Sequence, residues 1–165
     1  MLMFIDGSVD PKSKIGYGSC LLITDDHENI TTEFVQQEIR SKRFSSTSST
    51  RLEAQTLLWA LEETKKILKD EAKTKPITIF SDSQNLVGLP GRREKLQAHH
   101  FKTVTGDKDL NNADLYKSIF NILDHMNCRF IKVSGHTKFK KRNKMERIFV
   151  HVDRSSRKAL RRHKK

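Results

Sequence analysis

Two short stretches, "LMFIDGS" and "TIFSDSQ", each run apolar residues into an aspartate with a serine close behind. In an open α/β sheet, ligands bind at the carboxyl ends of parallel strands. Neighbouring strands would therefore set Asp6 and Asp82 side by side at a functional edge. Either aspartate alone is more simply the start of a turn; the pair is harder to dismiss. Glu53 is a third acid. It precedes Leu57 by four residues and Leu61 by eight, which puts it on the same helical face as an apolar stripe. A carboxylate on such a stripe needs a partner. Its rival role is local: Thr50-Arg51-Leu52-Glu53 fits a capping box, and on local sequence the cap is the stronger reading. "VSGH" puts His136 on a loop past a strand, and Asp153 opens the helical run "VDRSSRKAL", where an N-cap would serve equally well. Clustered ionised acids repel one another and require cations. Hard oxygen ligands suit Mg²⁺ or Mn²⁺, and two such ions can clamp the attacking and leaving oxygens of a phosphodiester.

The elements that would hold these residues follow from periodicity and punctuation. Residues 1–5 and 17–24 read as strands around a turn containing Pro11 and Gly16, and "TTEFVQQEI" alternates well enough for a third strand. "SSTSST" then introduces a helix running to about Lys69, on the spacing of Leu57, Leu61 and Leu68. "PITIFSDS" is a fourth strand, entered from a helix and so expected to lie parallel beside the first. Residues 86–112 are mixed, "ADLYKSIFNILDHM" is amphipathic, "CRFIKVS" is a fifth strand, and the chain ends in a helix. The order β-β-β-α-β-α-β-α implies an α/β sheet with an antiparallel flank.

Composition bounds the partners. A chain of 165 residues suits one domain. No apolar run approaches the roughly 20 residues of a membrane span. Residues 1–5 are too short for an export signal and have no basic residue before them. Cys20 and Cys128 lack ligand spacing and fit packed thiols in a reducing cytoplasm; His99-His100 fits a solvated loop better than a metal site. Of the net charge of +12, residues 129–165 supply +13 (15 Lys/Arg against two acids), while the other 128 residues carry 17 basic and 18 acidic side chains. Such a run is commonly a solvated tail. Its functional reading is a polyanionic partner, nucleic acid ahead of membrane.

Taken in order, "FIDGS", the Gly16–Gly18 strand opening, "RLEAQTLLWAL", "IFSDSQ", "NADLYKSI", "VSGH" and "VDRSSRKAL" resemble the type 1 ribonuclease H family over nearly the whole chain. The resemblance implies a mixed five-stranded sheet in 3-2-1-4-5 order flanked by helices, one catalytic domain over residues 1–165, and a basic C-terminal helix or tail over 154–165. It implies two-metal hydrolysis of the RNA strand of an RNA/DNA hybrid, leaving 5′-phosphate and 3′-hydroxyl ends. By position, Asp6 matches the acid bridging two Mg²⁺ or Mn²⁺ ions. Glu53 and Asp82 match ligands of the ion at the leaving oxygen, and Asp153 the ligand of the ion at the attacking water. His136 resembles a histidine that assists product release. Ser8, Ser48, Ser49 and Thr50 fall where ribose and phosphate are contacted, Gln84 where a base edge is read, and Asn112 where the DNA strand is held. The segment between His136 and Asp153 is longer and more basic than usual, so Lys138, Lys140, Lys141 and Arg142 are expected to grip the hybrid. That length also offers Glu146 as a rival fourth ligand, with Asp153 favoured by the final helix. "GRREKLQAHHFKTV" lacks the tryptophan that some members carry in a basic protrusion, and no hybrid-binding domain is expected ahead of residue 1. Further expectations are a monomer with no membrane or protein partner. Two alternatives are a binding module that keeps the fold without the chemistry, and a 3′–5′ exonuclease; the latter opens Asp-x-Glu, which Asp6-Gly7-Ser8 lacks.

Overall fold

The structure is a computed structural model and describes residues 1–24, 30–134 and 142–164. Strands β1 (Leu2–Asp10), β2 (Ile15–Ile23), β3 (Arg40–Phe44), β4 (Ile77–Ser81) and β5 (Cys128–Lys132) form one sheet in the order β3-β2-β1-β4-β5. β1, β2 and β3 pair antiparallel, while β4 runs parallel to both β1 and β5. The helices are α1 (Thr32–Glu38), α2 (Ser49–Leu68), α3 (Gln84–Val87), α4 (Arg93–Ala98), α5 (Ala113–Leu123) and α6 (Lys144–His163). This is the mixed sheet in the strand order the motifs imply.

Two elements differ from the sequence expectation. "TTEFVQQE" is helix α1, not a strand: the Thr31 hydroxyl accepts from the Phe34 N–H, and the two turns bury only Val35. Over so short a run, helical and strand periods are nearly indistinguishable. The true third strand is "RSKRF", which has no apolar alternation because it is an exposed edge held by backbone pairing to β2. Its cations suit an unpaired edge, where charge discourages further strand addition. The last helix begins at Lys144, nine residues before Asp153, so Asp153 is no N-cap. Asn143 is the cap, and Glu146 completes a capping box with it. Residues 154–163 are the second half of α6, packed with the first half against β1 and β2.

Strand alternation splits the core in two. Met3, Ile5, Ile77 and Ile79 face α2 and α5, joining Leu57, Leu61, Ile119 and Phe120. Phe4, Leu21 and Phe80 face α6 and α1, joining Phe149, Val152 and Val35. The α2 side depends on close approach. A Cβ on Gly7 would meet the Leu52 side chain at 3.0 Å, and one on its cross-strand partner Gly18 would collide with Thr56. Without side chains there, the first turns of α2 settle onto β1 and bring Glu53 toward Asp6. Arg51 anchors the same turns from outside, with a two-pronged ion pair to Asp114 at 3.0 and 2.7 Å.

Candidate active site

β1 does not stop at Asp6. It continues to Asp10, paired with β2 throughout, but its pairing with β4 ends at Phe4↔Phe80. Those two rings stack at 4.6 Å between centroids. Two residues further on, Asp6 and Asp82 follow them where β1 and β4 part. The opening between the strands is a cleft of about 330 Å³ lined by Asp6, Glu53, Asp82 and Asp153, with Ser8, Ser49 and Arg157 among its other walls. Four chain segments far apart in sequence therefore bring their acids to one place.

Serines hold two of the four acids. Ser156, itself fully buried, donates to Asp6 Oδ2 at 2.6 Å. Ser83 donates to Glu53 Oε2 at 2.6 Å while accepting from the Leu86 N–H to start α3. Each serine follows one acid in sequence, Asp153 or Asp82, and grips a different one in space. Glu53 is accordingly no capping-box partner; the cap of α2 is Ser48, which accepts from the Arg51 N–H. Burial pushes Asp6 up to about 7, opposed by the Ser156 hydrogen bond and reinforced by the negative charges of Asp82 and Asp153. Burial also raises Glu53, opposed by Ser83 and reinforced by Asp82. Arg157 Nε pairs with Asp153 Oδ1 at 2.8 Å. Among the described residues, no lysine or arginine pairs with Asp6 or Glu53.

The sequence profile of RNase H matches residues 1–156 of this chain. The protein belongs to the RNase H family. Its fold is similar to that of the PFV RNase H domain, with a TM-score of 0.72 at 16% identity over 95% of this chain and 92% of that one. It is similar to LC11-RNase H1 in complex with RNA/DNA hybrid, at 0.57 and 14% identity, covering 80% and 83% of the two chains. The foamy viral protease-reverse transcriptase in complex with RNA/DNA hybrid also matches, at 0.71 and 12% identity, over 95% of this chain but 19% of that much longer one. No curated protein matches in sequence.

Of the residues expected in an RNase H site, the cleft collects Asp6, Glu53, Asp82 and Asp153, together with Ser8 and Ser49. Glu146 is not among them: it lies seven residues up α6, about 10 Å along the axis, with its carboxylate accepting from the Asn143 N–H at 2.9 Å. Ser48 and Thr50 are exposed beside the cleft in the start of α2. Gln84 is exposed in α3 and accepts from Lys132 Nζ at 2.7 Å. Asn112 is buried, with Oδ1 accepting from Arg51 at 3.5 Å, and does not line the cleft. Arg142 lies away from the acids, in a second hollow between α6 and α1. His136, Lys138, Lys140 and Lys141 lie outside the described residues. Sequence reasoning missed Ser83, Ser156 and Arg157. The signal was in the motifs: a serine stands within three residues after both Asp82 and Asp153.

Among the described residues no three acidic, histidine or cysteine side chains converge tightly enough to hold an ion unaided. The donor set nonetheless fits a hard divalent cation. It is made of carboxylate oxygens, its most buried member is short of positive charge, and its neighbours are acids.

Proposed function

We propose that the protein is a divalent-metal-dependent endonuclease that hydrolyses the RNA strand of RNA/DNA hybrids to 5′-phosphate and 3′-hydroxyl ends. The observation that carries this reading is the convergence of Asp6, Glu53, Asp82 and Asp153 on one cleft where β1 and β4 diverge. Asp6, Glu53, Asp82 and Asp153 would together hold two Mg²⁺ or Mn²⁺ ions, with Asp6 shared between them, Glu53 and Asp82 assigned to the ion at the leaving oxygen and Asp153 to the ion at the attacking water. Such ions, when bound, polarise phosphodiester oxygens and make water acidic enough to attack at neutral pH.

The protein's own groups prepare that site. Ser156 holds Asp6 Oδ2 and Ser83 holds Glu53 Oε2, which fixes how each carboxylate is turned in the cleft. The stacked Phe4–Phe80 pair gives both aspartates a stiff base. Ser8 and Ser49 in the cleft wall, with Ser48 and Thr50 at the head of α2, offer hydroxyls to ribose and phosphate. The ribose 2′-hydroxyl is what separates RNA from DNA. Gln84 and Asn112 are assigned to the base edge and the DNA strand. His136 is assigned to product release, as an imidazole that titrates near neutral pH. Lys138, Lys140, Lys141 and Arg142 are assigned to grip of the hybrid backbone. We read the protein as a monomer in a reducing cytoplasm, in keeping with two cysteines that form no disulfide.

The test compares labelled RNA/DNA, RNA/RNA and DNA/DNA duplexes with purified protein in Mg²⁺ and in Mn²⁺. The RNA strand of the hybrid should be cut and EDTA should stop it. A protein that binds hybrid but cuts nothing under either metal is a binding module, and the hydrolytic reading fails.

A further inference from the structure

α6 is basic along a second face, turned away from the acids. At 3.6 residues per turn, Arg147, Arg154, Lys158, Arg161 and Arg162 fall in a stripe roughly 100° wide and about 22 Å long. All five are exposed, and among the described residues none forms an ion pair. Two other cations of this region are neutralised: Arg157, in the cleft wall, by Asp153, and Lys164, at the end of the helix, by Asp10. Like charges at i,i+4, such as Arg154 with Lys158 and Lys158 with Arg162, destabilise the helix that carries them. A merely solubilising face would intersperse acids, and this one has none.

The stripe continues onto the sheet. Ser41 of β3 hydrogen-bonds Ser155 of α6 at 3.1 Å, so the α6 side of β3 is the side its odd-numbered residues take. Exposed Arg43 therefore lies beside the second half of α6. Its cross-strand partner Tyr17 packs beneath α6 on His163, with ring centroids 5.9 Å apart and the rings tilted by 52°, on the sheet side of the helix and about 150° round from the stripe. A row of exposed cations with no acid among them suits the evenly spaced phosphates of a nucleic-acid strand. A membrane surface fits poorly: among the described residues the exposed large apolar ones are Phe34, Ile67 and Val104, and none is on α6.

We propose that the outer face of α6, with Arg43 at its edge, binds a single-stranded segment flanking the duplex held at the acid cleft. The stripe is centred about 130° around the helix from Asp153. A straight duplex in the cleft cannot also lie along it, whereas a flexible single strand can bend round. The proposal rests on the reading that the cleft takes nucleic acid, but its test does not require cleavage.

The experiment uses full-length protein with Asp6→Asn, so that substrates stay intact, and a second version also carrying Arg154→Gln, Lys158→Gln and Arg161→Gln. Matched melting curves confirm that both fold. Binding is measured for a blunt hybrid, the same hybrid with a single-stranded tail, the tail oligonucleotide alone, and polyglutamate. The tail should tighten binding on the order of tenfold. The triple substitution should erase that gain, flatten the salt dependence by two to three phosphate contacts at about 0.7 per contact on a single strand, and leave the blunt hybrid unaffected. If the tail adds nothing, if the substitutions weaken blunt and tailed hybrids alike, or if polyglutamate competes as well as the tail, the proposal is overturned. If the tail alone binds through the stripe while the blunt hybrid does not bind, the face stands and the hybrid reading of the cleft falls.

Discussion

The two sides of helix α6 carry opposite electrostatic problems. Facing the sheet, Asp153, Ser156 and Arg157 join a cluster of acids, and the local bonds are short and matched: Arg157 to Asp153 at 2.8 Å, Ser156 to Asp6 at 2.6 Å. Facing solvent, Arg154, Lys158 and Arg161 have no counter-charge among the described residues. One side still lacks positive charge at Asp6; the other lacks negative charge along its length. On the readings proposed above, sequence neighbours would serve different partners, a metal for one face and phosphate for the other. The net charge of the segment hides both needs.

The sharpest break of the inner face is Asp6→Asn. RNA cleavage should fall to background. The same substitution should stabilise the metal-free protein near pH 8. The folded protein keeps the Asp6 proton up to about pH 7, whereas an unfolded aspartate releases it near 3.8. Between those values folding takes up a proton, so the contribution of Asp6 to stability is present below about pH 4 and is lost as pH rises toward 7. Melting temperature without metal should therefore decline over that window in the native protein and decline less in Asp6→Asn. Each kcal/mol is worth about 2–4 °C in a chain of this size. Added Mn²⁺ should raise the melting temperature of the native protein above pH 7 and leave Asp6→Asn little changed. An equal rise in both would mean that Asp6 does not meet the ion.

Ser156→Ala tests the same face one step out. The hydroxyl fixes how the Asp6 carboxylate is turned, so its loss should weaken Mn²⁺ binding and cleavage by about 10–100-fold, the range for groups that orient ligands. Calorimetric titration of Mn²⁺ separates this from a folding defect. Ser156→Thr, which keeps the hydroxyl, should recover more than Ser156→Ala. Unchanged Mn²⁺ affinity in the alanine variant would reduce Ser156 to packing.

The acids were legible in the sequence because each of Asp6 and Asp82 ends a pattern: apolar strand residues on alternate faces, then a carboxylate. β1 and β4 were legible for the same reason. What was not legible depended on partners distant in sequence. β3 is a strand only because β2 supplies its hydrogen bonds, and "RSKRF" carries no trace of that. α1 looked like a strand because two turns give too little helical period to tell. Thr50 and Glu53 made a plausible local cap, but Ser83 approaches from 30 residues away and takes the Glu53 carboxylate. Asn143 and Glu146, a local pair of the same kind, do form a capping box, and the start of α6 was misplaced by overlooking it.

The smallest predicted effect comes from Ser155→Ala, one residue from Ser156 and about 100° round the helix. Ser155 hydrogen-bonds Ser41, which in turn bonds Ser19, so it fastens α6 to the edge of the sheet at an exposed point. Its removal should cost about 0.5–1.5 kcal/mol of stability, the net worth of one ordinary hydrogen bond. Mn²⁺ affinity and cleavage of a blunt hybrid should not change, since Ser155 touches none of the acids. Binding of a tailed hybrid should weaken slightly, because the link that keeps Arg43 beside α6 is gone. If Ser155→Ala instead lowered Mn²⁺ affinity as much as Ser156→Ala, the inner and outer faces would be one coupled unit, and the division of labour along α6 would not hold.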